Sequence, residues 1–133
     1  MHEKFERADK LTKTVIDSAF RVHRHFGPGL LESIYQKAFS RDLALEGLMV
    51  EAELCIPIEY RGEVFNEHIR ADIFVEQSLL VELKVVEAVR PEHIAQTLSY
   101  MKLLNAPVGL IFNFYESEFR KGIRRLTLKG ADK

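Results

Sequence analysis

Apolar residues recur along this chain with two different periods, and the switches between them divide it into elements. From Glu3 to Phe26, Leu11, Val15, Ala19, Val22 and Phe26 follow helical spacing, and Gly27-Pro28-Gly29 stops the run. Leu30 to Glu46 resumes the helical period through Leu31, Ile34, Ala38 and Leu45, with Gly47 placed as its C-terminal cap. The pattern then changes. Val50 to Tyr60 and Val64 to Val75 read as strands joined near Arg61-Gly62-Glu63, and Pro57 marks an edge or a bulge. Leu79 to Val86 is a third strand. After Arg90-Pro91 a helix is expected to about Leu104, then a buried strand from Val108 to Phe114, then a basic helix or strand around Phe119 to Leu128. This order implies a central sheet flanked by helices. The helical crossover between the third and fourth strands makes those two parallel if they are neighbours.

The third strand breaks its own pattern. Leu79-Leu80-Val81-Glu82-Leu83-Lys84-Val85-Val86 is apolar except for one carboxylate and one ammonium, which period-two geometry puts on the same face. Leaving one of a buried pair unpartnered costs about 3–5 kcal/mol. A metal or a phosphate nearby gives both groups a partner. Upstream, His68-Ile69-Arg70-Ala71-Asp72-Ile73-Phe74 alternates, and the polar cluster Glu76-Gln77-Ser78 has the length that hairpin loops favour. If Val75 pairs with Leu79, counting back sets Asp72 opposite Glu82, on the face of Lys84; a slip by one residue sends Asp72 to the other face. Facing carboxylates repel unless a cation lies between them. A hard divalent ion such as Mg²⁺, or Mn²⁺ in its place, is the simplest resolution.

With 133 residues, 47% of them hydrophobic, the chain suits one compact domain spanning 1–133. No apolar run approaches the roughly 20 residues of a membrane span, and the first residues are charged, so no membrane association and a cytoplasmic location are expected. Cys55, the single cysteine, excludes an internal disulfide and any CxxC metal site, and is expected as a small core residue. A net charge of -1 does not advertise nucleic-acid binding, which must rest on local patches and site chemistry.

Two helices complete the candidate site. Glu32 and Tyr35 lie three residues apart on the second helix, and Gln96 and Tyr100 lie four apart on the third, so each pair shares a face. Gly29-Leu30-Leu31-Glu32-Ser33-Ile34-Tyr35 resembles the signature of the bacterial GxxExxY proteins, a branch of the PD-(D/E)XK nuclease superfamily. The resemblance includes Val22-His23-Arg24 ahead of Gly27-Pro28-Gly29, Arg70-Ala71-Asp72, Val81-Glu82-Leu83-Lys84, Gln96 to Tyr100, and Val108-Gly109-Leu110-Ile111-Phe112-Asn113-Phe114. It spans nearly the whole chain in order and spacing.

The resemblance implies an α/β fold, a mixed α+β sheet with a restriction-endonuclease-like α-β-β-β-α-β core, here with an extra N-terminal helix and a basic C-terminal tail. By it, Asp72 and Glu82 are the metal carboxylates, Glu32 is the helix acid that helps hold the metal or its water, and Lys84 is the signature lysine. Gln96 and Tyr100 resemble the QxxxY element that orders the site and touches substrate, and Tyr35 joins them as a substrate-binding candidate. Ala71 stands where the superfamily name has proline, at a residue expected to point away from the site.

The chemistry suits these residue types. Phosphodiester hydrolysis needs a nucleophilic water near neutral pH and charge stabilisation on the phosphoryl and departing 3′ oxygens, and Mg²⁺ supplies both. Two carboxylates and a backbone carbonyl, expected from Leu83, leave positions on a six-coordinate ion for water and phosphate. Lys84 can orient that water, stabilise its hydroxide form or offset phosphate charge. The expected partner is nucleic acid, DNA favoured over RNA. Cutting both strands of a duplex is easiest for a homodimer, whereas a single-strand or end-directed nuclease needs no such symmetry.

Plainer roles exist for several of these residues. The charges can form a solvated sheet face, and Glu32 can be an ordinary first-turn acid favoured by the helix dipole. Tyr35 and Tyr100 can be core aromatics, with packing the expected role of Tyr35. His23, His25, His68 and His93 show no tight ligand pattern, and His23 is expected as a helix-packing residue near the Gly27-Pro28-Gly29 turn, with one hydrogen bond to the site as the alternative. Arg120, Lys121, Arg124, Arg125 and Lys129 form a basic tail able to touch phosphates or to stay solvated. The alternatives to a nuclease are a nucleic-acid-binding module that keeps the fold without turnover, and a regulatory domain in which the charges stabilise structure.

Overall fold

The helical period at the N-terminus and the strand period after residue 50 resolve into three layers. The computed structural model describes residues 2–132. Helices α1 (His2–Phe26) and α2 (Glu32–Leu45) precede strands β1 (Val50–Tyr60), β2 (Glu63–Val75) and β3 (Leu79–Lys84); helix α3 (Pro91–Leu104), strand β4 (Val108–Asn113), a 3-10 turn (Phe119–Gly122) and strand β5 (Ile123–Thr127) follow. The sheet order is β1-β2-β3-β4-β5. Only β3 and β4 run parallel, as the α3 crossover requires, and the other neighbours are antiparallel. The basic segment expected as a helix or a strand is a short 3-10 turn that feeds an edge strand. This mixed α/β sheet with helices on both faces is a restriction-endonuclease-like architecture.

Alternation along β3 sorts its side chains between two cores. Leu79, Val81 and Leu83 join Val15, Ala19, Phe39 and Leu43 beneath α1 and α2, while Leu80 packs with Phe74 and Met101 beneath α3. Glu82 and Lys84 have the parity of Leu80, so they stand on the α3 face. Gly109 is glycine for a packing reason: a Cβ there would lie 2.6 Å from Met101 Sδ. Ala71 is fully buried in the α3-side core with Ile56, where a small residue suffices.

The two initial helices are clasped by charge as well as packing. Arg21 on α1 donates to Asp42 at 2.7 Å and to Glu46 at 2.9 Å, both on or just after α2. Between the helices Gly27 and Gly29 hold φ of 68° and 111°, left-handed values that side chains rarely adopt. The Tyr35 hydroxyl seals this turn, donating to Gly27 O and accepting from Leu30 N–H. His23, at the end of α1, is a packing residue as expected: its ring stacks on Phe119 and its Nε2 lies 2.6 Å from Glu116 O.

Strand β1 is an edge, and the register of the β1–β2 pair shifts between Pro57 and Glu59, as the proline foretold. Cys55 corrects an expectation. It is exposed on this edge strand, because its neighbours Leu54 and Ile56 take the covered α3-side face and alternation turns Cys55 to the open one.

Candidate active site

The β2–β3 hairpin sets the central geometry. Glu76 and Gln77 take left-handed φ values of 49° and 50°, and the loop pairs Val75 with Leu79, Phe74 with Leu80 and Ile73 with Val81. One step further, side chains take over from the backbone ladder. The Asp72 N–H donates to Glu82 Oε2 at 2.7 Å, and the Leu83 N–H donates to Asp72 Oδ2 at 2.7 Å. Each carboxylate thus reaches across to the other strand, and each has a second oxygen left for a ligand.

On the other side of β2 the ladder lapses at the same level. Ala52 pairs with Ile73 and Leu54 with Ala71, but Glu53, in the left-handed region at φ 50°, forms no pair with Asp72. Such a local interruption re-aims a side chain. Arg70, two residues before Asp72, reaches Glu53 at 3.9 Å.

Burial makes the carboxylates costly to ionise. Glu82 is 2% exposed, and burial followed by the charge of Asp72 pushes its pKa up to about 8, against the bond from Asp72 N–H and the pull of Lys84. Asp72 is also raised, chiefly by burial, with the Leu83 N–H and Lys84 opposing. Desolvation raises Glu32, and Asp72 adds to it. The Tyr100 hydroxyl is raised by burial, then by Glu82 and Asp72, which places it within the field of both carboxylates. The Lys84 ammonium donates to Gln96 Oε1 at 3.4 Å. The sheet and α3 therefore gather Asp72, Glu82, Lys84, Gln96 and Tyr100.

Two expected members stand differently. Tyr35 is fully buried, its ring stacked on Phe114 with centroids 4.6 Å apart and its hydroxyl spent on the Gly27 turn, so it cannot touch a substrate. It packs because α2 turns that face onto the sheet. Glu32, expected among the metal ligands, is exposed at the start of α2, and among the described residues no three His, Cys, Asp or Glu side chains form a ligand cluster. Its carboxylate lies within the field of Asp72 and Lys84. Leu83 spends its N–H on Asp72 and buries its side chain in the core.

Asn113 has a part that its place in the apolar run 108–114 does not disclose. It is fully buried and pairs in register with Lys84. Its Oδ1 accepts from Val86 N–H at 3.1 Å and Tyr115 N–H at 3.2 Å, while Nδ2 donates to Val86 O at 2.8 Å. Phe114 N–H donates to Lys84 O at 2.9 Å. These bonds fix the segment leaving β3 just beyond the lysine. A lone amide in the apolar run 108–114 was the available signal. The basic tail is largely spent elsewhere: Arg125 pairs with Asp9 at 2.7 Å, and Arg120 and Lys121 each lie 3.7 Å from Glu118.

The donor set suits a hard divalent cation. Asp72 and Glu82 bring oxygen only, they are buried face to face, and a positive partner would favour the charged form of Glu82 that burial and Asp72 oppose. A cation held by their remaining oxygens removes the repulsion.

An acidic pair at the junction of two antiparallel strands, a lysine two residues on and a Gln/Tyr helix beside them suit one class of protein, and a family model agrees with it. A sequence model of the PD-(D/E)XK nuclease superfamily matches residues 9–126, and the chain belongs to that superfamily. A crystal structure of SSO0001 superposes with a TM-score of 0.46 at 18% identity, over 85% of this chain and 65% of that one. The chain thus spans less than two thirds of that protein's length. No curated protein matches.

Proposed function

We propose that this chain is a divalent-metal-dependent nuclease of the GxxExxY branch, hydrolysing phosphodiester bonds of nucleic acid, with Mg²⁺ as the ion, Mn²⁺ as a substitute, and DNA preferred to RNA. The observation that carries the reading is the Asp72–Glu82 pair, two buried carboxylates tied across strands by each other's backbone with Lys84 on the same face. Burial and Asp72 both disfavour a charged Glu82, an arrangement that suits a bound cation better than a purely structural charge cluster.

Asp72 and Glu82 would hold the ion, with the Leu83 carbonyl as the third protein donor. Bound there, a divalent ion lowers the pKa of a coordinated water and polarises the phosphoryl group. The hydrolysis joins a water oxygen to phosphorus and breaks the bond to the 3′ oxygen, which leaves as a hydroxyl after taking a proton. Lys84 supplies positive charge where the phosphoryl oxygens accumulate negative charge. Gln96 holds the Lys84 ammonium and, with the Tyr100 hydroxyl, offers neutral hydrogen bonds to phosphate or bound water. Glu32 sets the local field from α2.

The test is cleavage of labelled single-stranded DNA, double-stranded DNA and RNA with Mg²⁺, Mn²⁺ or EDTA, comparing wild type with Lys84→Ala and Asp72→Ala. Metal-dependent cleavage lost in both variants supports the nuclease and identifies its substrate. Metal binding with no cleavage of any substrate favours a binding module that keeps the fold.

A further inference from the structure

Helical spacing carries a third side chain of α3 toward the site. Gln96 accepts from the Lys84 ammonium, and the Tyr100 hydroxyl lies in the field of Glu82 and Asp72, which marks the side of α3 that faces the carboxylates. His93 precedes Gln96 by three residues, Thr97 by four and Tyr100 by seven, and Thr97 is fully buried. The histidine, half-buried, therefore lies between the sheet-facing and site-facing edges of the helix. Its ring also closes the start of α3: Nδ1 accepts from the Arg90 N–H at 2.9 Å, the bond that Glu or Gln makes from this position in a capping box. A neutral ring whose Nδ1 accepts carries its proton on Nε2. The two ring nitrogens diverge, so the Nε2–H points away from the cap, and among the described residues it has no hydrogen-bond partner.

We propose that His93 binds the nucleic-acid backbone, its Nε2–H donating to an oxygen of the phosphate next to the one held at Lys84. The inference rests on the nuclease reading above and adds a substrate contact and the direction in which the strand leaves the site, along α3 toward its first turn. Three residues of helix advance about 4.5 Å, a step comparable with the roughly 3.4 Å by which each nucleotide of a strand advances along a duplex axis. His93 therefore stands about one nucleotide from the contact of Gln96 with Lys84. The cap decides the chemistry as well as the position. With Nδ1 occupied, the neutral ring can offer a hydrogen bond but cannot pass on its proton without becoming an imidazolate, so the contact binds substrate and is not acid catalysis. Histidine suits both tasks, whereas a glutamate would cap the helix equally well but set a negative charge against the phosphate.

Capping and binding make different demands on this residue, and substitutions separate them. Binding is read by fluorescence anisotropy of labelled single-stranded DNA, double-stranded DNA and RNA in EDTA over a salt series, and folding by melting temperature. His93→Ala should weaken binding roughly tenfold, as expected for a lost hydrogen bond to a charged group. Its salt slope should stay that of wild type, because a neutral donor releases no counterion, while its melting temperature should fall with the cap. His93→Gln keeps both a cap acceptor and an N–H, and should recover most of the affinity and of the melting temperature. His93→Glu should melt like wild type yet bind more weakly than Ser99→Glu, which adds the same charge at an exposed position on the outer face of α3. An affinity of His93→Ala equal to wild type, or of His93→Glu no weaker than Ser99→Glu, would overturn the contact and leave His93 a cap alone. If wild type still cleaves with Mg²⁺ in that case, the nuclease reading stands; if wild type neither binds nor cleaves, both fall.

Discussion

The Asp72 N–H donates to Glu82 Oε2 at 2.7 Å, so the acid of one strand is held by the backbone of the residue it would otherwise repel. That bond orients Glu82 without neutralising it, and burial still pushes its pKa up to about 8. Under the proposed reading a divalent cation competes with a proton for this pair, and that competition is measurable.

Stability without divalent ions should fall as pH rises. The Glu82 pKa in the folded chain is near 8, above its ordinary value of 4.5, so between these limits the folded state binds more protons than the unfolded state. Its contribution is complete below about pH 4.5 and lost as pH passes about 8. At about 1.4 kcal/mol per unit of pKa difference the loss is on the order of several kcal/mol. Thermal melts in EDTA across this range should show it for wild type, and a much flatter profile for Glu82→Gln.

Divalent ions should restore what the deprotonated pair loses. Mg²⁺ or Mn²⁺ should raise the melting temperature of wild type, more at pH 8 than at pH 6, because protons and the ion compete for the same oxygens. Asp72→Asn should abolish the shift. The absence of any metal-linked shift in wild type would count against the site.

Asn113 should act on activity through position. Asn113→Ala strips the bonds from Val86 N–H, Val86 O and Tyr115 N–H, and unpaired groups of this kind cost on the order of 1–3 kcal/mol each when buried. Melting should report that loss, while turnover should drop further than the unfolded fraction explains and the Mg²⁺-linked shift should persist. An activity loss matching the unfolded fraction would leave Asn113 a purely structural residue.

Tyr35 should behave as a core residue. Tyr35→Phe keeps the stack on Phe114 but removes the hydroxyl that spans Gly27 O and Leu30 N. The expected cost is about 1–3 kcal/mol for the unsatisfied turn groups, with kcat and KM unchanged for the folded fraction. A change in KM without a change in melting temperature would instead put Tyr35 in contact with substrate.

Local pattern carried much of the fold. The two periods separated helices from strands, and a loop from Glu76 to Ser78 with a strict period of two was enough to set Asp72 against Glu82 on the face of Lys84. The α3 crossover forced β3 and β4 parallel, and Pro57 marked the irregular edge. These follow from the sequence alone because strand parity and hairpin length are local constraints. Depth and partnership are not local. Helical spacing put Glu32 and Tyr35 on one side of α2, but only the packing of that helix on the sheet buried the tyrosine and left the glutamate at the rim. Cys55 lies on a strand that reads as core, yet only the face of Leu54 and Ile56 is covered and Cys55 points to the open one. The grip of Asn113 on Val86 and the lapse at Glu53 each join segments whose distance is fixed by the whole sheet. A residue's face is written in its neighbours along the chain; what meets it there depends on how the layers close.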